Sequence, residues 1–97
     1  MTERTGKITL FEVKNPIIIE TSDVDNSLDR FNRLIQDHKG KLLQNIPTDK
    51  EIRVTFSIEK NEEQPFFNQL SELGSVRIPK EGYKDRQGNI VVIFKKM

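Results

Sequence analysis

Apolar and polar positions alternate most regularly over residues 51 to 59, EIRVTFSIE, where Ile52, Val54, Phe56 and Ile58 interleave with Arg53, Thr55, Ser57 and Glu59. A period of two over that length describes a strand with one buried face and one wet face. KITLFEV, residues 7 to 13, carries Ile8, Leu10, Phe11 and Val13 and predicts an extra edge strand, broken by Asn15-Pro16. IIIET, residues 17 to 21, is a continuous β-branched run and predicts the central strand of the sheet, covered on both faces. KLLQNI predicts a weaker strand, joined through PTDK to the alternating one. SVRIP reads as a short strand, and IVVIF as a last strand beyond the turn KEGYKDRQGN.

Two segments follow the helical period instead. In SDVDNSLDRFNRLIQDHKG, Val24, Leu28, Phe31, Leu34 and Ile35 fall within about 120° on a helical wheel, Ser22 and Asp25 are spaced as a capping box, and Gly40 supplies a left-handed stop after His38 and Lys39. In NEEQPFFNQLSELG, Asn61 or Gln64 is a candidate cap, Pro65 belongs to the first turn and Gly74 ends the segment. Phe66, Phe67, Leu70 and Leu73 share an arc of about 120°, with Phe67 at its edge, half offered to solvent.

The order of these elements predicts an α+β domain of ferredoxin-like type. It is a split βαβ sandwich with an antiparallel sheet and both helices on one face, a core over residues 17 to 95 and the additional edge strand at 7 to 13, the whole of 1–97 forming one domain. The sheet face opposite the helices then presents Arg53, Thr55 and Ser57 as a bare polar surface open to a partner.

Composition narrows the chemistry. The chain has 97 residues, enough for one core without a stabilising metal, and the absence of cysteine excludes disulfides, thiolate metal sites and cysteine nucleophiles. No segment has the apolar length of a membrane span or of a signal peptide, so the chain reads as soluble, either cytoplasmic or the extracytoplasmic part of a tethered protein. The net charge of +1 is uneven. Residues 1 to 75 hold 10 basic and 13 acidic side chains, whereas residues 76 to 97 hold 6 basic and 2 acidic. An excess of four spread over a loop and a strand does not make a phosphate-binding face, and Phe56, the aromatic on the strand that RNA-recognition domains use for base stacking, falls on the inward face. No nucleic-acid partner is expected.

A lone histidine, His38, rules out a multi-imidazole metal site and disfavours a Ser-His-Asp triad; it reads as a helix-end residue facing the dipole. Gly40-Lys41 lacks the flanking residues of a phosphate loop, and residues 85 to 89 read as a turn and not as a calcium loop. No cofactor, metal or catalytic residue is assigned and the chain reads as non-enzymatic. The candidate interaction surface comprises Arg53, Thr55, Ser57, Phe67, Lys84 and Arg86, with binding to a protein partner or a second copy through a strand edge or the polar sheet face. A second possibility is a small-molecule regulatory domain of ACT-like type, its ligand lying between the helix start at Ser22 and Asp23 and the loop of residues 80 to 88.

Residues 17 to 94 also resemble a family. IIIETSDVDNSLDRFNRLIQDHKGKL, then FFNQLSELGSV with Leu70, Leu73, Gly74 and Val76 in an LxxLGxV pattern, and the closing GNIVVIF are similar to the C-terminal domain of some bacterial membrane-anchored anti-sigma factors and related envelope proteins. The resemblance implies a sensory or protein-interaction module outside the membrane, without catalytic residues. The anchor and zinc-finger segments of that family do not occur in this sequence, and the strand at 7 to 13 is additional to it.

Overall fold

The computed structural model describes residues 14–97, and the edge strand expected over 7 to 13 lies outside them. Along the chain run β1 (Ile17–Thr21), α1 (Val24–Asp37), β2 (Lys41–Pro47), β3 (Glu51–Ser57), α2 (Lys60–Gln69) continued by a 3₁₀ turn (Leu70–Leu73), β4 (Ser75–Arg77) and β5 (Ile90–Lys96). The result is an α+β fold in which two helices lie on a five-stranded sheet of order β2-β3-β5-β1-β4. The sheet is mixed, which corrects the expectation of an antiparallel one: β5 runs parallel to β1 and antiparallel to β3.

The centre of the sheet also differs from expectation. β5, not β1, is the middle strand, and its first five residues are all buried, whereas burial in β1 alternates. Both runs are short, apolar and β-branched. They differ in what lies beside them: β1 has the three-residue β4 on its outer flank, and β5 has long partners on both sides.

Alternate residues of the sheet face the helices. Ile17 and Ile19, Val54 and Phe56, and Ile90, Val92 and Phe94 join Phe31, Leu34 and Ile35 of α1 and Phe66, Leu70 and Leu73 of α2 in one cluster, so both helices cover the same face. Phe31 sits at its middle, with ring centroids 5.1 Å from Phe94, 5.3 Å from Phe56 and 5.8 Å from Phe66, all edge to face. Such pairs add roughly 0.5–1.5 kcal/mol each beyond the area they bury. Phe66 is therefore a core residue. Phe67, as its place on the wheel implies, is half-buried at the boundary, where it meets Tyr83 edge to face at 5.8 Å.

The helix ends depart from the sequence reading in instructive ways. Asp23, not Ser22, caps α1, its carboxylate accepting from the Asn26 amide at 3.1 Å. Lys39, not Gly40, takes the left-handed conformation, with φ of 61°. Gly40 is needed for space instead, since a Cβ there would stand 2.8 Å from the Ser57 carbonyl oxygen. His38 is the C-cap of α1, and its Nδ1–H donates to Glu62 Oε1 at 2.9 Å, tying the end of α1 to the start of α2. α2 begins at Lys60 without a side-chain cap, so Pro65 lies inside the helix and not in its first turn.

A small buried polar network locks β1, α1 and the 3₁₀ turn together. Ser27 donates its single hydroxyl proton to the Leu73 carbonyl at 2.7 Å, leaving its oxygen to accept from the Thr21 hydroxyl at 2.9 Å. Thr21 Oγ1 in turn accepts from the Asp23 amide at 3.3 Å. Every buried polar atom in this chain of bonds has a partner, as low-dielectric surroundings demand.

Candidate functional site

The face of the sheet turned away from the helices is not the bare polar surface expected. Strand register lines up Ile46, Arg53, Ile93, Ile18 and Arg77 in one cross-strand row, and Gln44, Thr55 and Val91 in the next. A third row sets Lys95 between Glu51 and Glu20. Val91 and Ile93 are only 2% and 9% exposed, so the middle of this face is apolar and its margins are polar.

A concavity of about 710 Å³ opens on this face, with one wall from β2 (Leu43, Gln44, Ile46), a floor of Arg53, Thr55 and Val91, and the other wall from residues 85 to 89. Two local features build it. In β2 the ladder with β3 skips a residue between Leu42 and Gln44, and this bulge turns Leu43 toward the cavity. On the opposite side, Tyr83 and Lys84 run beside the start of β5, with the Val91 amide donating to the Tyr83 carbonyl at 3.0 Å and a bridge between Lys84 and Ile90. The chain then turns on Asp85, whose Oδ1 accepts from the amides of Gln87 and Asn89, both at 2.9 Å. That turn carries Arg86 to the cavity rim. Asp85 is thus engaged in shaping the loop.

Of the six residues singled out from sequence, the structure brings three together: Arg53, Thr55 and Arg86 line this concavity. Ser57 lies on the same face but opposite Lys41, outside the cavity. Phe67 and Lys84 lie elsewhere. Phe67 lines a separate cavity of about 420 Å³ with Lys60, Glu63, Ile78 and Tyr83, and Lys84 Nζ donates to Glu63 Oε2 at 2.8 Å. The sequence reading missed Leu43 and Ile46. The bulge hides them, because Leu42 and Leu43 stand side by side and break the alternation that marked β3.

The ligand site expected between Ser22, Asp23 and residues 80 to 88 does not assemble. Thr21 is level with Lys96 at one end of β5, whereas the loop meets Ile90 at the other end. Six residues of strand separate the two, about 20 Å.

Among the described residues, no group of three or more His, Cys, Asp or Glu side chains is placed to hold a metal ion, and no helix is long and apolar enough to cross a membrane. Compared with protein-family models, curated proteins and solved structures, the chain matches none of them.

Proposed function

We propose that the chain is a non-enzymatic protein-interaction module on a ferredoxin-like frame, and that its partner docks on the outer sheet face beside β2. Setting β5 aside leaves the order β2-β3-β1-β4 with every neighbour antiparallel and a helix after the first and third strands, the split βαβ arrangement. β5 is then a fifth strand inserted at the middle of that frame.

One observation carries the functional reading. Leu42, Leu43 and Ile46 are 42%, 47% and 39% exposed, and they account for three of the five exposed large apolar side chains among the described residues. All three sit on one edge strand, and two of them rim the concavity. Clustered apolar exposure with a polar margin marks a surface that another molecule covers. The sensory setting implied by the resemblance to anti-sigma factor domains belongs to the same proposal.

Site-specific photo-crosslinking tests the reading. A photoreactive residue at Gln44 should give discrete protein adducts in cells, and the same residue at Gln36, on the exposed side of α1, should give none. Equal labelling from both positions, or no adduct from Gln44, rejects the docking face.

The size of the concavity supports a second reading, a small-molecule regulatory domain of ACT-like type, because about 710 Å³ falls in the range of about 300–1,000 Å³ usual for ligand sites. Its ligand would lie against Arg53 and Thr55 on the sheet face. A thermal-shift screen with amino acids and nucleotides separates the two readings, since a ligand present at 100 times its dissociation constant adds about 2.7 kcal/mol.

A further inference from the structure

We infer that the partner on this face is a second copy of the chain, joined edge to edge through β2 about a two-fold axis at Asn45. The inference rests on the docking face proposed above and names its occupant.

Backbone geometry sets which groups β2 presents. The Thr48 amide donates to the Glu51 carbonyl at 2.7 Å, so Thr48 points toward β3. Alternation along an antiparallel strand then turns Ile46 and Gln44 toward β3, and Pro47 and Asn45 toward the outer edge, where no described strand lies. Proline has no N–H to leave unpaired there, which is the position where a sheet accepts it. An axis through Asn45 lets the two Asn45 residues exchange N–H and C=O groups. It also places outward-face Gln44 beside outward-face Ile46 of the other copy, so side chains on matching faces meet. Because the axis is normal to the sheet, Leu43 and Ile46 from both copies form one apolar strip, and the two concavities open on the same side.

The charges fit the same symmetry. Lys41 and Asp49 are the first charged residues beyond either end of the stretch between them, and each is four positions from Asn45. Antiparallel self-pairing brings Lys41 of one copy to the hairpin bend that carries Asp49 of the other, twice, the bulge shortening the Lys41 side by one ladder step. No charge interrupts β2 between them, although an edge strand left open to solvent is where a guarding lysine is expected. The pattern is complementary to itself, as a two-fold interface requires. The bulge between Leu42 and Gln44 keeps the new ladder short, so side-chain contact must supply most of the stability.

Sedimentation equilibrium of the full chain from about 10 µM to about 1 mM tests this. The native mass should rise from 11.3 kDa toward twice that value. Lys41→Glu should weaken the dimer by about fivefold or more, and adding Asp49→Lys to it should restore the native constant. Ile46→Lys should leave a monomer, with thermal melts confirming that each variant is folded. A native chain that stays at 11.3 kDa throughout, or a dimer unmoved by Lys41→Glu and Ile46→Lys, overturns the inference. If such a monomer still gives Gln44 crosslinks to other proteins, self-pairing is wrong and the docking face stands; if those crosslinks vanish too, both are wrong.

Discussion

β2 and β5 are strands of equal length, seven residues each, and both are rich in leucine, isoleucine or valine, yet every residue of β2 is exposed and the first five of β5 are buried. Their environments explain the contrast. β5 lies between β1 and β3 with helices across one side, so both its edges and one face are covered, and Val91 and Ile93 on its other face are buried as well. β2 has β3 on one edge and nothing among the described residues on the other. Apolar side chains thus serve cohesion in one strand and, by the proposal above, recognition in the other, and substitutions should separate the two uses.

The largest effect belongs to β5. Phe94 is fully buried against Phe31, and Phe94→Ala should cost about 3–5 kcal/mol in chemical denaturation. A loss below about 1 kcal/mol would remove β5 from its role as the keystone of the core. Val92→Thr puts a hydroxyl into the fully buried apolar cluster and should cost about 1–3 kcal/mol by the same measurement. Gly74 comes third. At φ of 154° its added Cβ would run into the Glu20 carbonyl oxygen, so Gly74→Ala should lower the melting point, by about 1–3 kcal/mol of stability. The smallest effect is the sharpest. Ile46→Thr, on exposed β2, should change folding stability by no more than about 0.5 kcal/mol. A large loss there would mean that β2 is part of the core after all. Hydrogen exchange offers a check without mutation: amides of β5 should open only with global unfolding, and the Asn45 amide far more readily in dilute protein.

Local signals carried most of the individual elements. Strict alternation gave the buried side of β3, the helical wheel gave the buried side of α1, and the arc from Phe66 to Leu73 separated a core ring from a boundary ring at Phe67. Gly74, too, proved to be a stop with a physical cause. What local signals could not supply was order across the sheet. IIIET and IVVIF look alike as strings, and only pairing between residues more than seventy positions apart, such as Ile17 with Val92, decides which stands in the middle. The cap at Asp23 and the left-handed Lys39 depend on the path of the backbone beyond the helix and left no distinctive residue pattern. In the candidate site, Arg53 and Thr55 followed from alternation and Arg86 from its loop. Leu43 and Ile46 were obscured by the bulge, and Phe67 and Lys84 were grouped with a face from which the sheet itself divides them.

The strand in the middle of the sheet is also the last of the described elements to leave the ribosome. In the finished sheet β1 and β3 meet only through it, so without β5 the β2–β3 and β4–β1 pairs have no common ladder. Late-arriving, long-range pairing of this kind is slow and leaves sticky edges uncovered. The time between making residue 57 and residue 96 is therefore the interval in which this chain most needs protection from its neighbours.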